Sequence, residues 1–131
     1  MRNDSRQTGS VLVMTVFIIV LLSTVVAGIL NMTSVDIQIM QNQVFAAESV
    51  TMAMAGLNDA LGQLRLDAGW NDGFTNKAFN NGTYTVEVDN DEITSTGATA
   101  QGFIAEVTAD LTIGAAGPPY TVRLDALRIN E

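Results

Sequence analysis

Few residues in this 131-residue chain are equipped for chemistry. There is no histidine and no cysteine. That excludes Ser-His and Cys-His nucleophilic catalysis, disulfides, and the commonest transition-metal ligands. No nucleophile has a base to activate it, so an enzyme is not expected. Oxygen ligands remain. Asp89, Asp91 and Glu92 fall within four residues, and hard cations such as calcium are held by carboxylates. Their spacing matches no EF-hand loop, and acidic hairpin turns are common. No cofactor is therefore expected, and these three carboxylates are the candidates should calcium bind. Another reactive feature is a backbone bond. Gly9-Ser10 sits where a polar, weakly basic start (M-R-N-D-S-R-Q-T-G) becomes apolar in one step. A peptidase that approaches Cα closely favours a residue without a side chain.

What must position that bond is the run Val11 to Leu30, twenty residues without Asp, Glu, Lys or Arg. As an α-helix it would span roughly 30 Å, one bilayer core, and in lipid a single segment has to be helical. Arg2 and Arg6 precede it, and the positive-inside bias leaves them in the cytoplasm and sends the rest out. Three readings fit the start. One is a signal peptide cut after Val25-Val26-Ala27. A second is an uncleaved anchor. The third is a leader removed on the cytoplasmic side after Gly9, leaving the apolar segment on the mature protein.

Formal charge is −8, and beyond Gly9 thirteen acids face four bases (Arg65, Lys77, Arg123 and Arg128). So acidic a surface repels phosphate backbones, which argues against nucleic acid as a partner.

From Asn31 to about Leu66 there is no proline. Ala47, Val50, Met54, Leu57, Leu61 and Leu64 recur at spacings of three and four, the helical period. One helix of about 55 residues, roughly 80 Å, is expected to run from membrane to exterior. That continuity favours the leader reading over a cleaved signal peptide. The helix should end near Asp67-Ala68-Gly69, with Gly69 as its C′ residue.

Residues 70–81 read as a turn-rich loop, in which Trp70, Phe74 and Phe79 are expected to close the helix–sheet junction. Beyond them the period becomes two. Thr83–Val88, Glu92–Thr96, Phe103–Ile113 and Tyr120–Asp125 read as four strands of an antiparallel meander. Its apolar face should cover Val50, Met54, Leu57, Leu61 and Leu64. The fold class is thus α+β: a long N-terminal helix, membrane-spanning in its first half, on a four-stranded antiparallel sheet. The divisions are 1–9, 10–32 (membrane), 33–67 (amphipathic helix) and 68–131 (loop and sheet).

This layout resembles a type IV pilin or pseudopilin. The likeness rests on the basic leader ending in Gly9, the apolar helix from Ser10, and the segment Asp36 to Leu61 (D-I-Q-I-M-Q-N-Q-V-F-A-A-E-S-V-T-M-A-M-A-G-L-N-D-A-L). That segment is similar to the corresponding helix of PilX-type minor pilins. The resemblance implies cleavage by a prepilin peptidase between Gly9 and Ser10. It also implies a single-pass, N-in/C-out protein of the inner (cytoplasmic) membrane with an extracytoplasmic head, and other pilin or pseudopilin subunits as partners. The first mature residue is Ser10, where the family usually has Phe or Met. At the fifth mature position the family carries a glutamate, thought to pair with a neighbour's N-terminal amine; here it is Met14. A subunit without that acid suits a filament tip or a priming complex. The expected function is a minor pilin of type IV pilus assembly. The alternatives are a minor pseudopilin of a type II secretion system, or a membrane-anchored extracytoplasmic binding module outside any filament.

Overall fold

A computed structural model describes residues 4–130. One helix, α1 (Asp4–Leu66), is followed by five strands: β1 (Phe74–Phe79), β2 (Gly82–Asp89), β3 (Glu92–Thr99), β4 (Ile104–Ile113) and β5 (Val122–Asn130). The protein is therefore α+β with one long N-terminal helix and an antiparallel sheet. The chain divides into two compact units between Gln41 and Asn42. Among the described residues the first is helix alone. The second holds the rest of α1 and the whole sheet.

The sheet is a simple meander in the order β1-β2-β3-β4-β5. It has five strands, not four. The additional one is β1, inside the stretch read as a loop. Asn76 adopts φ 47°, and the register shifts between Phe74 and Lys77, so one extra residue is accommodated there. A bulge of this kind breaks the period-two signal that identifies a strand in sequence. The β1–β2 turn is Asn80-Asn81, with Asn80 left-handed at φ 51°. The last strand also begins later and runs further than expected, to Asn130. Its pairing skips Asp125, which makes a second bulge opposite Asp110 and Leu111.

β4 alternates between a buried and a more exposed face. Ala105, Val107, Ala109 and Leu111 are buried, and Tyr84, Val86 and Ile93 share their side of the sheet. The helical face that meets them differs from the leucine stripe. Its buried members are Ser49, Met52, Ala53, Gly56, Leu57, Ala60 and Leu64, whereas Val50, Met54 and Leu61 are only partly buried and Ala47 is exposed. The seam is set by how closely the backbones approach. A Cβ on Gly97 would lie 2.3 Å from the Ser49 carbonyl oxygen and 2.4 Å from the Ala53 nitrogen. Only small helical residues fit opposite β3, so the larger side chains pack to either side of that line.

The helix terminus also departs from the expected form. Gly69 is not left-handed. Instead Asp67 continues the helical bonding through its N–H to the Gln63 carbonyl (2.9 Å). The Asp67 carboxylate then accepts the Gly69 N–H (2.9 Å), and its carbonyl accepts the Trp70 N–H (3.1 Å). A side-chain acceptor does the work that a left-handed glycine would otherwise do. The β4–β5 connection returns to this end, where the Tyr120 N–H donates to the Arg65 carbonyl (2.8 Å).

Candidate functional site

Gly9, Ser10 and Met14 lie within α1 and are exposed. Among the described residues, nothing beyond the adjoining residues and the helix's own backbone comes within 4 Å of a Cβ built on Gly9. Along Val11–Leu30 the large apolar side chains are 50–68% exposed. By length and composition α1 is long and apolar enough to cross a membrane. The run contains three side chains able to hydrogen-bond, and all three are satisfied inside the helix. Thr15 donates to the Val11 carbonyl (2.8 Å), Ser23 to Ile19 (2.8 Å) and Thr24 to Val20 (2.6 Å). Hydroxyls bonded one turn back leave no unpaired donor to meet hydrocarbon.

In the sheet unit Asp89 and Glu92 are paired across the β2–β3 turn, Asn90-Asp91, with Asn90 left-handed at φ 53°. The Asp89 carboxylate accepts a hydrogen bond from the Asn90 carboxamide (2.8 Å), and the Asp91 carbonyl accepts the Leu111 N–H (2.7 Å). Among the described residues no group of three or more Asp, Glu, His or Cys side chains is placed to hold a metal ion.

Of the aromatics expected at the helix–sheet junction, Trp70 and Phe74 pack against the core, whereas Phe79 is exposed. Trp70 packs on Phe74 (ring centroids 5.1 Å), Phe74 meets Tyr84 edge-on (6.1 Å), and Phe79 lies 6.1 Å from Tyr84 while staying 40% exposed. A cation sits in this cluster. The Lys77 ammonium is 4.3 Å from the Phe74 ring centre and forms an ion pair with Asp59 on α1, to which the Tyr84 hydroxyl also donates (2.6 Å). The hydrogen bond from Lys77, then that from Tyr84, holds the Asp59 carboxyl below its ordinary range; the same contact raises Lys77. Burial, then the Asp59 carboxylate, pushes the Tyr84 phenol up. Sequence reading did not find this triad, because its members lie on α1, β1 and β2 and β1 itself was unread. An acid on the helix, with a lysine and a tyrosine on neighbouring strands, gave no spacing to detect.

Neither a protein-family model, a curated protein nor a solved structure matches the chain.

Proposed function

We propose that the chain is a membrane-anchored, minor pilin-like structural subunit that takes part in type IV pilus assembly or priming. In this reading α1 crosses the inner membrane with Arg2 and Arg6 in the cytoplasm, and the sheet unit lies outside. The observation that carries it is the run Val11–Leu30, in which Thr15, Ser23 and Thr24 are each bonded to a carbonyl one turn back. Such a segment can enter hydrocarbon without leaving a donor unpaired, and it continues as helix to Leu66. Gly9 fits the processing role physically. Glycine weakens a helix by about 1 kcal/mol relative to alanine, and a peptidase must unwind the bond it cuts. Met14, where the resemblance leads one to look for a glutamate, supports a place at a tip or in a priming complex.

The test is the intact mass of the protein extracted from membranes. A chain beginning at Ser10, with or without a methyl group, is expected, and Gly9→Val should block the cut while leaving insertion unchanged. A chain beginning at Gly28 would overturn the reading in favour of a signal peptide, and an uncut chain in cells that process other such leaders would leave only an anchor.

A further inference from the structure

Where α1 ends, the chain forms a half-open cavity of about 300 Å³ that none of the foregoing uses. Leu64 and Val88 form its aliphatic part; Leu64 is buried and Val88 packs against the core. Trp70 is the aromatic member of the lining, and its ring lies 5.1 Å from that of Phe74, which does not line the cavity. The exposed side carries Asn71, Asp89 and Asn90. Three separate segments contribute: the helix terminus, the loop after it, and the β2–β3 turn. The last is fixed by the left-handed Asn90 and by the hydrogen bond between Asn90 and Asp89.

This combination narrows the ligand. An apolar ring wall takes C–H groups or another ring, whereas a carboxylate and two carboxamides take hydroxyls, the carboxylate accepting and each amide both donating and accepting. A purely apolar ligand would match neither the Asp89 carboxylate nor the carboxamides of Asn71 and Asn90 on the exposed side. An anion is disfavoured by that carboxylate, and again by the negative end of the α1 dipole. Arg65, in the last turn of α1, does not line the cavity. A metal ion would meet a single carboxylate, Asp89, in this lining. The remaining class is an uncharged molecule with one C–H-rich face and an edge of vicinal hydroxyls.

We propose that this cavity binds one neutral sugar ring, its C–H face on the Trp70 indole and its hydroxyls hydrogen-bonded to Asp89, Asn71 and Asn90. The size agrees, because small-molecule sites begin at about 300 Å³. The inference does not depend on how the N-terminus is processed or on membership of a filament.

Trp70 is the single tryptophan of the chain, so indole emission reports this cavity alone. The experiment titrates the full chain, held in a detergent without a sugar headgroup, with glucose, galactose and N-acetylglucosamine. N-acetylneuraminic acid serves as the acidic comparator. A saturable change in emission is expected with at least one neutral sugar, at a Kd on the order of 1 mM as befits a site open to water on one side. The acidic sugar should give none. Asn71→Ala and Asp89→Ala should each weaken the response at least several-fold, with unchanged circular dichroism confirming the fold. A response that survives both substitutions would overturn the location. An equal response to the acidic sugar would overturn the ligand class. No saturable response to any neutral sugar would overturn the proposal outright. None of these outcomes bears on whether Gly9 is cut.

Discussion

The Cβ that Gly56 lacks would lie 2.4 Å from the Ser95 hydroxyl oxygen. That oxygen is buried and has no hydrogen-bond partner among the described residues. Helix and sheet thus meet at a point where one side has no side chain and the other carries an unpaired polar group.

Two opposite effects are expected there. Gly56→Ala should destabilise by about 1–3 kcal/mol through overpacking, since the Tyr84 and Val86 side chains also stand within 3.0 Å of the added atom. Ser95→Ala should be neutral or stabilising, because it removes a desolvated hydroxyl with nothing to bond to. In the double variant the cost of Gly56→Ala should fall. Denaturant unfolding followed by circular dichroism reads all three, and equal costs for Gly56→Ala in both backgrounds would show that Ser95 is not the obstacle.

Gly97→Ala should be worse than Gly56→Ala. Its Cβ would collide with backbone atoms of Ser49 and Ala53 rather than with a hydroxyl that can rotate away. The comparison is made by the same unfolding measurement, with loss of the folded state altogether as the extreme outcome.

Truncating the helix leucines should give an unequal series. Leu57 and Leu64 are 3% and 2% exposed, while Leu61 is only partly buried. Leu57→Ala and Leu64→Ala should each cost about 2–5 kcal/mol, with Leu61→Ala at or below the lower end. An even series would place the seam back on the leucine stripe.

The Asp59–Lys77–Tyr84 triad should make stability fall at both pH extremes. The Asp59 carboxyl is depressed below 3.8. Its contribution is therefore present above that value and lost as pH drops through the depressed folded-state pKa. Lys77 and Tyr84 are raised above 10.5 and 10.0. Their contribution is present below those values and lost as pH climbs through the raised ones. Asp59→Asn should flatten the acid limb, and Lys77→Met should remove its share of the alkaline one. Thermal melts across the pH range check both. Because Lys77 is 46% exposed, salt should weaken the pair.

Met14→Glu tests the proposed place in a filament. It puts an ionisable group into a run that has none, which is costly in lipid unless a cation reaches it. For a tip or priming subunit the substitution should impair initiation or leave it unimproved, scored by counting filaments. Raised incorporation along the shaft with initiation unchanged would mean that the missing acid merely limits copy number. Wild-type subunits in stoichiometric amounts along the shaft would be still more damaging to the proposal.

The class of the fold, the long helix, and strands β2 to β4 with their inward faces were legible because each follows a single period over many residues. β1 was not legible: Asn76 and the extra residue before Lys77 erase the alternation. The seam of α1 misled for another reason. Large residues such as Met54 and Leu61 dominate a periodicity, yet the buried line runs through Ser49, Ala53, Gly56 and Ala60, where backbone approach decides. Of the candidate sites, Gly9, Ser10 and Met14 were singled out from the border of the apolar run, and the structure places them on α1. The cavity at Trp70 was not, because it joins a helix end to a turn twenty residues later.

The two bulges share a location that matters beyond their own hairpins. One is on β1 beside Asn76 and the other on β5 at Asp125, the two outermost strands of the sheet. Asp125 is flanked there by Arg123, whose guanidinium it binds, and Arg128 bonds Asp110 one strand in (2.8 Å). Kinked, charged borders are poor templates for another strand. If the chain is anchored in a bilayer as proposed, its copies meet side by side in one plane, where a meander with smooth borders could pair edge to edge; this one is kinked at both outer strands.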